Sequence, residues 1–155
     1  MKRIVSLFCL ILFSIVSFGQ TENDINKMLE ECIKESKQDY EVFSEQTNRK
    51  YPLFLCCDGL PSKYIQSNKP FYDSIGLTTI TWHYSSKFKK ELEQGIDVME
   101  IHYYLKGNTF EVYVHFITAT EESDGIVLAY WFEDVDKYVY EYSCETNEWQ
   151  LIKKE

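Results

Sequence analysis

Two alternating runs meet near the middle of the chain, in Val98–Thr118 (VMEIHYYLKGNTFEVYVHFIT), and they predict a hairpin closed at Gly107–Asn108. A two-residue turn of this kind needs positive φ, which glycine and asparagine adopt at low cost. If Lys106 stands opposite Thr109, then Met99, Ile101, Tyr103 and Leu105 share a face with Phe110, Val112, Val114 and Phe116. Glu100, His102, Tyr104, Glu111, Tyr113, His115 and Ile117 take the other face, because side chains alternate along a strand. One face is core; the second is polar, aromatic and titratable.

Upstream, Thr21–Asp24 has the spacing of a capping box. Ile25, Met28, Leu29, Cys32 and Ile33, continued by Tyr40 and Phe43, then recur at helical spacing and predict an amphipathic helix of about five turns. Tyr51–Cys57 reads as a short strand closed by Asp58–Gly59 and Pro61. Pro61–Gly76 has no clean period and reads as a structured loop with a helical turn at Ser62–Gln66. Leu77–Tyr84 alternates as a strand that carries His83 in its polar phase. A short helix capped by Ser85 or Ser86 should then stop at Gly95.

Beyond the hairpin, Gly125–Glu133 (GIVLAYWFE) is apolar in both phases, as in a central strand covered on both sides. Tyr138, Tyr140, Tyr142 and Cys144 alternate in the next strand, and a turn at Thr146–Asn147 sets Trp149 and Leu151 beside them. The connections among the last five strands are too short for parallel crossovers, so they predict an antiparallel meander. The fold class is therefore α+β, an N-terminal amphipathic helix packed on a curved meander. This order of elements resembles the cystatin-like and nuclear-transport-factor-like architecture, in which a sheet wraps around helices. That resemblance implies a cone-shaped pocket between sheet and helices that binds ligands, hosts catalysis or serves as a partner surface.

The first residues add a compartment. Lys2 and Arg3 precede an apolar run from Ile4 to about Phe18, and small residues at Ser17 and Gly19 follow the pattern of a signal peptide cut before Gln20. The run has about 15 residues where a spanning helix needs roughly 20, so no stable membrane insertion is expected after cleavage. Residues 20–155 would form a single exported domain, periplasmic or extracellular. Loss of Lys2 and Arg3 would take the formal charge from −9 to −11. Nucleic acid and anionic membranes need a basic footprint and are excluded as partners, whereas a basic protein surface is permitted.

Export also colours the cysteines. Cys32, Cys56, Cys57 and Cys144 lie outside the leader, and an even count in an exported chain implies two disulfides. A bond between neighbours distorts the intervening peptide, so the expected pairing joins Cys32 and Cys144 each to one of Cys56 and Cys57.

Candidate chemistry centres on the polar face of the hairpin. In the expected register His102 faces Tyr113 and His115 faces Glu100, which makes the two imidazoles diagonal neighbours beside a carboxylate. Imidazole with carboxylate support is the usual constellation for proton transfer near neutral pH. Tyr104, Tyr113 and His83 are the candidate ligand contacts, since a ring with a polar tip suits both a polar ligand and an interface. No third metal ligand is supplied at a usual spacing, no nucleophile motif occurs, and no glycine-rich phosphate loop is present, so neither a metal nor a cofactor is expected. Together these features imply a small exported domain without catalysis that holds a protein or polar ligand, with an inhibitor or immunity-type protein as its concrete form. The alternative is a hydrolase- or isomerase-type enzyme with His102 or His115 as general base and Glu100 or Glu111 in support.

Overall fold

In the computed structural model the backbone is described for residues 2–155; the side chains of 2–22, Tyr84 and 132–134 lie outside the described set, and with them most of the leader. The chain is α+β: helix α1 (Lys2–Thr47), strand β1 (Leu53–Cys56), helices α2 (Ser62–Ser67) and α3 (Lys69–Ser74), strand β2 (Thr78–Ile80), a 3₁₀ segment (Trp82–Phe88), helix α4 (Lys89–Gln94), then strands β3 (Ile96–Lys106), β4 (Thr109–Glu122), β5 (Gly125–Ser143) and β6 (Glu148–Lys154). The helix backbone runs through Thr21 instead of starting there, so Thr21 is not an N-cap.

One six-stranded sheet in the order β2-β1-β3-β4-β5-β6 carries everything else. β3 to β6 form the antiparallel meander, while β1 lies parallel to both β2 and β3. The parallel pairs are possible because the helical segments Ser62–Ser74 and Trp82–Gln94 provide crossovers long enough to return the chain to the same end of the sheet. The hairpin closes with Lys106 opposite Thr109, His102 opposite Tyr113 and Glu100 opposite His115. Gly107 takes φ +62 at the turn, a conformation that glycine reaches without a Cβ clash.

The sheet separates two cores. On the helix side Met28, Leu29, Cys32, Ile33 and Tyr40 of α1 pack on Met99, Ile101, Phe110, Val112, Val114, Phe116, Tyr138 and Tyr140. A fully buried apolar side chain of this size contributes roughly 1.5–3 kcal/mol, so this cluster holds the helix down. Tyr103 only partly joins it, and Leu105, expected in the floor, is exposed near the hairpin tip. On the outer side Phe54, Cys56, Ile80, Leu92, Ile96, Val98, Ile117 and Ala119 pack beneath Trp82 and Phe88.

Four further expectations are corrected. The stretch Pro61–Gly76 is two short helices, ordered by Tyr64 and Tyr72 packing into the helix-side core. β2 ends at Ile80, which puts His83 on the exposed 3₁₀ segment rather than on a strand. The runs around Gly125–Glu133 and Tyr138–Cys144 are a single strand, β5, so the meander has four strands, not five. Finally, Cys32, Cys56, Cys57 and Cys144 are free thiols, not two disulfides. The reason is geometric: Cys56 and Cys57 enter opposite cores, Cys32 lies in the helix-side core 3.4 Å from the Tyr140 hydroxyl, and Cys144 is exposed beyond the end of β5. Burial pushes the Cys32 and Cys56 thiols up to about 12 and Cys57 to about 11.

Candidate functional site

The outer face of the hairpin collects the candidate residues in two rows. β3 contributes Glu100, His102 and Tyr104, and β4 contributes Glu111, Tyr113 and His115, each pair brought across the ladder by the register. The His102 Nε2 lies 3.3 Å from Glu100 Oε2, and the His102 and His115 rings meet edge to face with centroids 5.4 Å apart. Tyr104 and Tyr113 make a similar edge contact at 5.7 Å, and the Tyr113 hydroxyl donates to Glu111 Oε2 at 2.9 Å. Lys137 of β5 completes the patch, its Nζ 5.1 Å from the Tyr113 ring centroid and 3.8 Å from Glu111 Oε1. Every one of these contacts links near neighbours on a pleated surface, which is how cross-strand pairs stabilise a sheet.

The electrostatics follow from half-burial and crowding. Burial lowers the His115 pKa below its ordinary value of 6.5; the diagonal neighbour His102 adds to the shift and Glu100 opposes it. His115 is therefore a neutral imidazole at pH 7, able to accept or share a proton. Tyr130 stands opposite Ile117 in the β4–β5 register, which places this β5 tyrosine on the same side as the histidines, and Glu100 raises its hydroxyl pKa.

General acid–base chemistry needs such groups to converge where water is partly excluded. Here the His102 side chain is 42% exposed and Tyr104 is 51% exposed. The clefts are lined by other residues, and one of about 310 Å³, at Glu141, Ser143, Gln150 and Ile152, shares the face of the histidines at the β5–β6 end. One of about 360 Å³ opens between α1 and the β5–β6 turn, lined by Asp24, Lys27, Glu31, Tyr140 and Trp149, and a smaller one of about 120 Å³ lies at Tyr40, Phe116 and Trp131. Among the described residues no three or more His, Cys, Asp or Glu side chains are grouped to hold a metal ion. The arrangement can bind, through rings, imidazoles and one lysine, but it does not enclose a substrate.

Sequence reasoning missed two features. Lys137 joins the patch only because β5 is continuous past residue 133, and the sequence reading split that strand. The second is a buried ion pair on the helix side. Asp97, fully buried, accepts from Arg49 Nη2 at 2.8 Å, from the Tyr40 hydroxyl at 2.9 Å and from Thr118 Oγ1 at 2.9 Å. Arg49 lies 4.5 Å from the Trp131 ring centroid, and Trp131 Nε1 donates to Thr118 Oγ1 at 2.9 Å. An acid inside the apolar run of β3 was the available signal, since a buried carboxylate requires a partner. This cluster ties the end of α1 to β3, β4 and β5.

Comparison with protein-family models, with curated proteins and with solved structures gave no match to this chain.

Proposed function

We propose that this protein is a small exported binding domain, without catalysis, that holds a protein partner on the outer face of its sheet. The observation that carries the reading is the openness of the Glu100–His102–Tyr104–Tyr113–His115 patch, which is rich in rings yet lies flat on the sheet. Aromatic side chains with polar tips are enriched at the centres of protein interfaces, because they cover much area and lose little rotamer freedom. Export rests on the basic and apolar leader pattern of residues 1–19. An inhibitor or immunity-type protein that covers a basic surface is the concrete form, in keeping with a formal charge of −9.

The test is a photo-crosslinking amino acid placed at Tyr104 in the producing cells, with the exposed helix position Val42 as control. A discrete protein adduct from Tyr104 and none from Val42 is expected. If neither position gives an adduct, and the melting temperature rises only with a small polar compound, the reading fails.

The contact of His102 with Glu100 and His115 favours one second reading, an enzyme of hydrolase or isomerase type. It requires a partner or lid that closes over the histidines, and His102→Ala would then abolish turnover without weakening partner binding.

A further inference from the structure

The first half of β5 is the part of the sheet that the fold leaves undressed. β4 pairs with β5 from Glu122 opposite Gly125 to Ile117 opposite Tyr130, and again from His115 opposite Val135 onward. Four β5 residues, Trp131 to Asp134, thus stand against Phe116 alone, a bulge that interrupts the ladder. β6 and the residue after it pair only beyond that bulge, from Tyr138 to Ser143 in the ladder and at Lys137 through its backbone hydrogen bonds with Glu155. Among the described residues, Gly125–Tyr130 therefore has a ladder on its β4 side and an open edge on the other.

That edge is also apolar on both faces. Ile126, Val127, Leu128 and Tyr130 are between 38% and 45% exposed, and every residue from Glu122 to Tyr130 is exposed. Natural edges are usually guarded by lysine, proline or inward charge. Here no lysine, arginine or proline occurs between Lys106 and Lys137, and Gly125–Phe132 carries no charge at all. A strand that presents unpaired N–H and C=O groups with apolar side chains above and below is a template for an added strand.

The charges around it say which strand. Glu122 and Asp124 precede the uncharged stretch and Glu133 and Asp134 follow it, while Glu121, on β4, is already paired with Lys89 at 3.5 Å. A second copy paired antiparallel about Ala129 would set Asp124 opposite Asp134 of its twin at each end, and a shift of one residue would set it opposite Glu133. Like charges directly across a ladder are unfavourable, and two copies of an acidic chain repel at longer range as well. A segment with an apolar centre and basic residues on both sides meets no such opposition and gains at both ends.

We propose that the Gly125–Tyr130 edge of β5 receives an extended segment of a partner protein, apolar in the middle and flanked by lysine or arginine, as an additional strand of the sheet. The inference rests on the binding reading above and specifies its partner: the acceptor edge adjoins the histidine face through Tyr130, so one partner can cover both.

The probe is a labelled synthetic peptide of alternating valine and threonine with two arginines at each end, titrated into the full chain and compared with the same peptide flanked by glutamates. The arginine peptide is expected to bind about tenfold or more tightly than the glutamate peptide, and to weaken as salt screens the flanks. Amide hydrogen exchange should slow at alternate residues between Gly125 and Trp131, the set whose N–H groups point outward. Because N–H direction alternates, one of Val127→Pro and Leu128→Pro removes an outward donor and is tolerated, while the other breaks the β4 ladder. The tolerated variant should lose peptide binding. Equal binding of the two peptides, no slowed exchange on β5, or sedimentation showing copies of the chain joined through this edge would each overturn the inference. A crosslink at Tyr104 without slowed exchange on β5 would reject the edge and leave the binding reading standing; slowed exchange without that crosslink would do the reverse.

Discussion

His115 is the side chain whose environment makes the plainest prediction. Its folded pKa lies below the ordinary 6.5, mainly because the ring is partly buried. On acidification the unfolded chain therefore takes up this proton before the folded chain does. The associated stability is complete above pH 6.5 and is lost as pH falls through that value towards the folded pKa. Thermal denaturation between about pH 7 and about pH 5 should show a smaller loss for His115→Gln than for the wild type. NMR titration of the His115 ring should find its pKa raised in His102→Gln and lowered further in Glu100→Gln. At Asp97 the prediction concerns burial, because Arg49→Met would leave a fully buried carboxylate without its cation. A loss of about 3 kcal/mol in urea unfolding is expected, the range in which broken buried pairs fall.

At the scale of elements, the close approach of the turn after β1 to β3 is the sensitive joint. A Cβ added at Gly59 would lie 2.5 Å from the Ile101 carbonyl oxygen, a backbone atom that cannot step aside alone. Gly59→Ala should destabilise by about 1–3 kcal/mol, as overpacking does, and chemical denaturation would measure it. What the sequence made legible was local. The hairpin register followed from Gly107 and the alternation around it, and the buried stripe of α1 followed from its own period. The rest depended on contacts distant in sequence. Pro61–Gly76 lacks a period because α2 and α3 are each too short to show one, and they are helical through Tyr64 and Tyr72 packing into the helix-side core. Gly125–Glu133 is apolar in both phases whether a strand is sheathed or bare, so pattern alone could not tell a central strand from an open edge. The two halves of the candidate patch differ in the same way: His102 and His115 came together by register, whereas Lys137 needed the strand order.

For the whole molecule, export and charge belong together. If residues 1–19 are a cleaved leader, the mature chain begins at Gln20 and is found outside the cytoplasm. N-terminal sequencing of the protein recovered from the envelope and medium checks this, and an intact Met1 in a cytosolic fraction would refute it. Within the folded body, the bulge at Trp131–Asp134 separates two regimes of local stability. Beyond it, β5 is held between β4 and β6; before it, the strand has one neighbour and little cover. Strand segments of the second kind fray well below the global unfolding free energy. A segment docked on Gly125–Tyr130 would therefore suppress this local opening first, and would move the melting temperature only as far as its concentration exceeds its dissociation constant there. A weak partner would thus show first in the exchange of individual amides on this strand and only at high concentration in a thermal shift.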